Sequence, residues 1–284
     1  MTRLTRFHIE QTLAQLHDID ERLRIRVNTG LLGVALRTIG VEEKDAAILI
    51  SKRVAVVPLT LGQGVIPGFS ESVAAIARHI HLDAVVTQDV DVSGIAGAFA
   101  DGSDIVVLAD DARFVAINIK SGAVADNDRA TGEGFAALLC MMAGDVAGQP
   151  CGVIGCGPVG TFAALRLARM GANLTVCDSD ARRGRQLVGR IQKKSDVKIC
   201  WVDNVAALLS RTRYVVDASP ASDIISAENI SPDTVIAAPG VPLGLTSAAL
   251  NCIGTNFYHD NLPLGVATML LSAFYGRMVE TRMF

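Results

Sequence analysis

The stretch from Cys151 to Gly160 reads CGVIGCGPVG, and it decides the fold of this chain. An apolar run leads into a glycine-rich turn of the pattern G-x-G-x-x-G, and the apolar helical pattern TFAALRLARMG follows at once. The next apolar run, NLTVCD, ends in Asp178, about 20 residues further on, where a ribose-binding acid is expected. A strand, a glycine turn, a helix and a second strand ending in an acid form the βαβ unit of a dinucleotide-binding sheet.

Each residue of the turn has a physical role in holding a pyrophosphate. Gly155 makes the tight turn, Gly157 lets the backbone approach the phosphates, and Gly160 lets the helix pack closely on the strand. Pro158 and Val159 open the helix, whose first N–H groups and dipole favour an anion. The turn therefore predicts a dinucleotide site.

The acid at the end of the second strand predicts which dinucleotide binds. Asp178 would accept hydrogen bonds from the adenosine ribose hydroxyls and would repel a 2′-phosphate, so we expect NAD rather than NADP. Arg182 and Arg183 follow closely and could instead clamp a 2′-phosphate, although a solvated basic helix face is the simpler interpretation.

Further strands extend this sheet, and small-residue loops follow two of them. The five predicted strands cover residues 151–155, 173–178, 197–202, 213–219 and 234–240. Ligands of such sheets gather at the carboxyl ends of strands, so we expect ASPAS and APGVP to line the nicotinamide side. The residues predicted there are Ser219, Pro220, Pro239 and Gly240.

The first half of the chain predicts a second, smaller α/β domain. Helical spacing over residues 6–23 and 31–38 precedes alternating strand and helix patterns, which indicate a small, mostly parallel sheet. The polar segment 120–134 predicts the boundary, giving a domain over 1–125 and a Rossmann-type doubly wound parallel sheet over 126–284. The final helix, expected over 264–279, could pack back on the first domain.

Composition limits the partners. Apolar residues make up 50% of the 284 residues, and the net charge of −3 gives no reason to bind nucleic acid. The longest late uncharged run is shorter than the ~20 residues that span a bilayer, and charges interrupt the amino terminus where a signal peptide is apolar. The six cysteines and five histidines lack metal-site spacing. We expect a cytoplasmic protein with buried thiols, no metal, no membrane contact and a small-molecule substrate.

A second glycine loop, LGQGVIPGFSES over residues 61–72, follows the first predicted strand. Ser70 is expected to cap the next helix, so that N–H groups face a carboxylate or another polar group. A simple strand-to-helix turn with nothing bound is the alternative. Asp110, at the end of a later strand, could hold a cationic amine.

Five segments together resemble one enzyme family along nearly the whole chain. They are VPLTLGQGVIPGFSES (57–72), TQDVDVSG (87–94), LADD (108–111), NIKSGAVADN (118–127) and PLGVATML (263–270). The chain is thereby similar to the pyrrolysine synthase dehydrogenases, the last enzymes of pyrrolysine biosynthesis.

The resemblance implies a reaction and a substrate site. An NAD-dependent enzyme would oxidise the terminal amine of 3-methyl-D-ornithyl-N6-L-lysine, a dipeptide-like substrate, to a semialdehyde that closes to L-pyrrolysine. Leu4 would belong to a helix that folds over the substrate, and Leu61 stands where the family pattern has a hydroxyl residue. The substrate contacts implied or expected are Thr60, Gly62, Ser70, Glu71, Ser72 and Asp110, with Asp110 as the catalytic residue that positions the amine.

Two other interpretations stay open at this point. A shikimate-dehydrogenase-like or methylenetetrahydrofolate-dehydrogenase-like enzyme shares the two-domain plan, but Lys44 and Lys52 are poorly placed as its substrate-site lysine. A non-catalytic NAD-sensing module is the second alternative. His259 is a weaker candidate for a proton acceptor, and a homodimer is plausible because amphipathic helices lie at both ends of the chain.

Overall fold

The structure is a computed structural model that describes residues 9, 12, 14–62 and 66–277. The chain divides into two compact units. The first unit runs to Thr131 and resumes at Leu262, and the second spans Gly132–Asn261.

The first unit is built on a five-stranded sheet of order β2-β1-β3-β4-β5. Strand β1 pairs in parallel with β2 and β3, whereas β4 pairs antiparallel with β3 and β5. The predicted parallel arrangement therefore holds for three strands only, because the short turns after β3 and β4 cannot make a crossover. The strands are β1 Arg53–Val57, β2 Asp83–Val86, β3 Ile105–Ala109, β4 Phe114–Asn118 and β5 Val124–Asp126.

Helices cover this sheet, and one of them departs from the sequence prediction. The continuous helix predicted over residues 6–23 is wrong, because residues 16–18 form a turn and a new helix starts at Ile19. That restart buries Ile19, Leu23 and Val27. The helices of this unit are α1 Ile19–Val27, α2 Leu31–Ile39, α3 Phe69–His79, α4 Asp91–Ala100 and the first turn of α5 Asn127–Ala143, with a 3-10 helix at Glu43–Ser51.

The polar segment 120–134, predicted to hold the domain boundary, contains a hairpin turn, strand β5 and the start of α5. Asn118 Oδ1 accepts hydrogen bonds from the Lys120 and Ser121 N–H groups at 3.0 Å each, which closes the turn between β4 and β5. Asp126 Oδ1 then accepts from the Asp128 N–H at 2.9 Å where α5 begins. The polar residues are there because turns and helix starts need side-chain acceptors.

The second unit contains a six-stranded parallel sheet of order β11-β10-β9-β6-β7-β8. The chain winds outward from β6 in both directions, so the Rossmann-type doubly wound sheet is confirmed. Its strands are β6 Pro150–Ile154, β7 Asn173–Cys177, β8 Ile199–Val202, β9 Tyr214–Asp217, β10 Val235–Ala238 and β11 Phe257–His259. Its helices after α5 are α6 Pro158–Arg169, α7 Ala181–Gln192, α8 Val205–Leu209 and α9 Ser247–Ile253, with a 3-10 turn at Ala227–Asn229.

The last helix, α10 Pro263–Tyr275, belongs to the first unit. It packs against α2, α3 and β4, and its residues from Pro263 to Ala273 are buried. Asn118 Nδ2 donates to the Ala273 carbonyl at 3.3 Å. In the part of the chain that the structure describes, no helix combines the length and apolarity needed to cross a bilayer.

The cysteines differ in burial. Four are buried, Cys252 is half-buried, and Cys200 is exposed. The expectation that all six are buried is therefore wrong for Cys200, because it lies on the edge strand β8. Burial raises the pKa of Cys140, Cys151 and Cys156 to about 12, which keeps those thiols neutral.

Candidate active site

The glycine turn after β6 is formed by close backbone contacts. Gly155 has φ +86°, and a Cβ there would lie 2.8 Å from the Ala218 carbonyl oxygen. A Cβ on Gly160 would overlap the Gly155 carbonyl oxygen, so only glycine lets α6 start this close to the strand. Both positions require glycine because any Cβ would come too close to backbone atoms.

The start of α6 leaves room for a ligand. Gly157 is the N-cap with extended backbone, and Pro158 occupies the first helical turn. A Cβ built on Gly157 would meet no protein atom within 4 Å. Because the N-cap has no side chain to accept from the first N–H groups, these donors suit an anion.

Asp178 lies beside this turn. Its Oδ2 accepts from the Cys156 N–H at 2.6 Å, and its Oδ1 accepts from the Asp180 N–H at 2.7 Å. Each oxygen keeps a second lone pair for a hydroxyl donor. Asp180 caps α7 and pairs with Arg182 Nη2 at 3.5 Å and Arg183 Nε at 3.7 Å, so both arginines have a carboxylate partner.

The loops after β9 and β10 lie against each other. The Gly240 N–H donates to the Asp217 carbonyl at 3.0 Å, and a Cβ on Gly240 would overlap the Ser219 carbonyl oxygen. Ser219 and Pro239 are buried, while Pro220 is exposed. Asp217, the buried last residue of β9, is not recognisable from local sequence, because its apolar surroundings come from distant parts of the chain.

In the first unit, the second glycine loop is tied to the start of α4. Asp91 accepts from the Thr60 N–H at 2.8 Å and from the Thr60 hydroxyl at 2.5 Å. The side-chain hydrogen bond from Thr60, followed by its backbone N–H, lowers the pKa of Asp91. Gly62 has φ +75° and lies against Asp111, and the Leu61 side chain is exposed.

The helix that follows this loop begins differently from the prediction. Gly68, in the left-handed conformation with φ +80°, is the N-cap, and its carbonyl accepts from the Ser72 N–H at 2.9 Å. Ser70 is thus inside the first turn and does not cap the helix; Phe69 starts the helix and contacts the Phe114 ring at a centroid distance of 5.3 Å. Glu71 is exposed in the first turn, where the dipole favours its charge.

Two serines of this helix are buried. Ser70 is 5% exposed and Ser72 is 0% exposed. Among the described residues, Ser72 Oγ has no hydrogen-bond partner. A buried hydroxyl without a partner costs free energy, which makes Ser72 a candidate to bind a polar ligand group.

Asp110 lies in the hairpin between β3 and β4. Its Oδ1 accepts from the Arg113 N–H at 2.7 Å and the Ala112 N–H at 2.8 Å. These bonds, that from Arg113 first, lower the pKa of Asp110. The carboxylate therefore stays ionised at neutral pH, which suits binding of a cation better than accepting a proton.

His259 and Leu4 are the two remaining residues that the sequence predicted for the site. His259 Nδ1 lies 2.7 Å from the Ala238 carbonyl oxygen, and its ring stacks on Phe257 at 6.3 Å. Leu4 lies outside the described residues. Among the residues that are described, no group of three histidine, cysteine or acidic side chains could hold a metal ion.

The doubly wound sheet with its glycine turn defines a Rossmann-type fold, and the chain has a separate α/β unit as well. Quinate dehydrogenase from Corynebacterium glutamicum, solved in complex with NAD, is similar with a TM-score of 0.56 at 15% identity, over 81% of this chain and 95% of that one. Shikimate 5-dehydrogenase from Thermus thermophilus, solved with NADP(H) and shikimate, is similar with a TM-score of 0.52 at 16% identity, over 81% and 95%. These likenesses show the fold.

Sequence similarity identifies the family. Residues 8–125 match the model of the pyrrolysine biosynthesis protein PylD, N-terminal domain. A pyrrolysine synthase of Methanosarcina acetivorans is 30% identical over 273 residues, which is 96% of this chain and 99% of the relative. A pyrrolysine synthase of Methanosarcina barkeri is 29% identical over 222 residues, 78% of this chain and 81% of the relative. The chain belongs to the PylD family, and the resemblance noted from its motifs is confirmed.

Proposed function

We propose that this protein is an NAD-dependent amine dehydrogenase that completes the synthesis of pyrrolysine. Family membership supports the pathway, since two relatives are named pyrrolysine synthase. The observation that carries the redox chemistry is the glycine-capped start of α6 with Asp178 bonded to its turn. A dinucleotide needs this combination of an open helix N-terminus and a nearby ribose acceptor.

The residues present fit the cofactor. Gly155, Gly157 and Gly160, with Pro158 and Val159, would hold the pyrophosphate, and Asp178 would hold the adenosine ribose. Bound NAD supplies a hydride acceptor. We assign Ser219, Pro220, Pro239 and Gly240 to the nicotinamide side. The pairing of Arg182 and Arg183 with Asp180 supports NAD over NADP, because this carboxylate offsets part of their positive charge beside the ribose site.

The proposed reaction removes a hydride from the carbon that bears the terminal amine of 3-methyl-D-ornithyl-N6-L-lysine. Water then replaces the nitrogen, ammonia leaves, and the resulting aldehyde condenses with an internal amine, losing water to form the pyrroline ring. The chain must therefore bind a flexible, charged substrate and hold the amine in one orientation.

We assign that task to the first unit. Asp110 is an anion in a hairpin turn and would attract the ammonium group. Ser72 offers a buried hydroxyl without a partner in the described chain, and Ser70 is two residues before it in the same helix. Thr60, Gly62 and Glu71 complete the set. Because the Thr60 hydroxyl already donates to Asp91, its substrate contact would be through its remaining lone pairs.

Purified protein mixed with NAD and 3-methyl-D-ornithyl-N6-L-lysine tests the proposal. We expect NADH absorbance to rise with stoichiometric pyrrolysine by mass spectrometry, and a much smaller rise with NADP. Quinate and shikimate serve as control substrates. NADH formation with those hydroxy acids alone would overturn the proposed substrate. Binding of NADH with no reduction by any amine or hydroxy acid would indicate an NAD-sensing module instead.

A further inference from the structure

Asp217 is a buried carboxylic acid that the proposed reaction does not use. It is the last residue of β9 and is 0% exposed. Its Oδ1 accepts from the Ser219 N–H at 3.1 Å, and its backbone carbonyl accepts from the Gly240 N–H at 3.0 Å. One residue thus contacts both loops, 218–222 and 239–246, that carry the predicted nicotinamide-side residues.

The second carboxyl oxygen is enclosed without a strong partner. The Gly244 backbone N–H acts to lower the pKa of the carboxyl, but Oδ2 has no well-aligned hydrogen bond among the described residues. A Cβ on Gly244 would overlap Oδ2 and approach Ile224 Cγ1 at 3.1 Å. The glycine therefore lets the loop after β10 close directly over the acid.

Among the described residues, no opposite charge acts on Asp217. Strand β10 and the loop 239–246 contain no ionisable side chain, and in residues 218–226 after β9 the one ionisable side chain is Asp223, which is exposed. The thiols of Cys151 on β6 and Cys156 after it are kept neutral by burial, as their raised pKa shows. On α6, which also packs against β9, Arg166 and Arg169 pair with Glu133.

We propose that Asp217, in its protonated form, is a positioning residue that holds the loops 218–222 and 239–246 together. Burial of an unpaired carboxylate is costly, so the neutral acid is the form that fits this enclosure. Burial raises the pKa of Asp217 to about 7, in agreement with the geometry. As the pH rises through 7, the ionised carboxylate needs water or a further donor, and the two loops must separate to admit it.

The consequence for the cofactor rests on the proposed function. If these loops form the nicotinamide side, affinity for NADH falls as Asp217 ionises, although Asp217 need not touch the cofactor. An Asp217→Asn variant keeps the Oδ1 acceptor and cannot ionise. Asp223→Asn removes a charge directly after the loop 218–222, at an exposed position whose φ of +56° asparagine tolerates, which makes it the matched control.

Amide hydrogen exchange of the unliganded proteins tests the loop contact directly. After correction for intrinsic rates, we expect exchange in residues 218–226 and 239–246 to accelerate roughly tenfold from pH 6 to pH 8.5 in the natural protein and in Asp223→Asn. Asp217→Asn should change less than about twofold. Equal acceleration of exchange in Asp217→Asn and in the natural protein would overturn the proposal. Absence of acceleration in the natural protein would also overturn it, and that result does not depend on whether Asp217→Asn folds.

The affinity of NADH over the same pH range, measured by energy transfer from Trp201, tests the consequence. We expect the dissociation constant to rise roughly tenfold in the natural protein and in Asp223→Asn, and to stay nearly constant in Asp217→Asn. If NADH binds at no pH, the proposed function fails, while the exchange measurement still decides the role of Asp217. A dissociation constant that rises equally in Asp217→Asn would overturn the link between this acid and the cofactor.

Discussion

The two glycine turns of this protein connect similar elements but differ in the atoms that surround their glycines. Both connect a parallel strand to a helix whose N-cap is glycine, Gly157 in one turn and Gly68 in the other. In the first turn, Gly155 and Gly160 are enclosed by backbone atoms. In the second, Gly62 lies against the Asp111 side chain and Gly68 against a methyl group of Ile9.

The two turns therefore differ in how easily the atoms around their glycines can move aside. Backbone atoms cannot move aside without shifting a strand, whereas a side chain can rotate. The first turn is thereby suited to one invariant ligand group, such as a pyrophosphate. The second would suit the flexible substrate proposed above, with Ser70, Ser72 and Asp110 as the proposed contacts.

The largest expected effect is at the first turn, where Gly160 is needed for packing and Gly157 leaves room for the cofactor. Gly160→Ala should destabilise the protein by about 3 kcal/mol and abolish NADH binding, because its methyl group would overlap the Gly155 carbonyl. Gly157→Ala should cost less than about 1 kcal/mol, since its methyl group meets no protein atom, yet it should still weaken NADH binding. Urea unfolding and calorimetric titration measure both. Unchanged NADH affinity in Gly157→Ala would exclude a close approach of the cofactor to this turn.

Next in size is the pH dependence of stability caused by Asp217. Its pKa rises from 3.8 to about 7 on folding, so the folded state binds its proton more tightly. This contribution is complete below pH 3.8 and is lost as the pH rises through 7, at a cost of about 2.5 kcal/mol between pH 5 and pH 8. Asp217→Asn should remove that slope in urea unfolding, whereas Asp223→Asn should keep it. A slope that persists in Asp217→Asn would assign it to other groups.

Substitution of Asp110, in the hairpin between β3 and β4, should change kinetics rather than stability. Asp110→Asn keeps the Oδ1 acceptor for the Ala112 and Arg113 N–H groups, so its melting temperature should change little. Loss of the charge should raise KM for the amine substrate by up to roughly tenfold. Asp111→Asn is the neighbouring control. Turnover unchanged in Asp110→Asn, or equal losses in both variants, would remove Asp110 from the substrate site.

The smallest expected effect concerns the choice of cofactor. Asp178→Asn removes the charge that would repel a 2′-phosphate and should raise the ratio of NADP to NAD in kcat/KM by about tenfold or less. Asp203→Asn, an exposed acid after the neighbouring strand β8, is the control. An unchanged ratio would mean that Asp178 supports only the turn, through its bond from the Cys156 N–H.

Local sequence patterns predicted most of the second unit. Five of its six strands, all except β11, and its glycine turn follow from apolar periodicity and turn stereochemistry, which act between near neighbours. The same patterns predicted α2 to within one residue. The prediction of Ser70 as a cap is wrong, because Gly68 and the Phe69–Phe114 contact start α3 earlier. The polar residues of segment 120–134, where the domain boundary was predicted, close a hairpin and start a helix.

By itself, the sequence determined the βαβ unit, the family and the residue types available for chemistry, because these depend on order along the chain. Only the tertiary structure decided that Asp217 is enclosed by Gly244, that Ser72 is buried without a partner in the described chain, and that Asp180 holds the two arginines. Burial and pairing depend on which distant segments meet. A short window of sequence cannot contain that information.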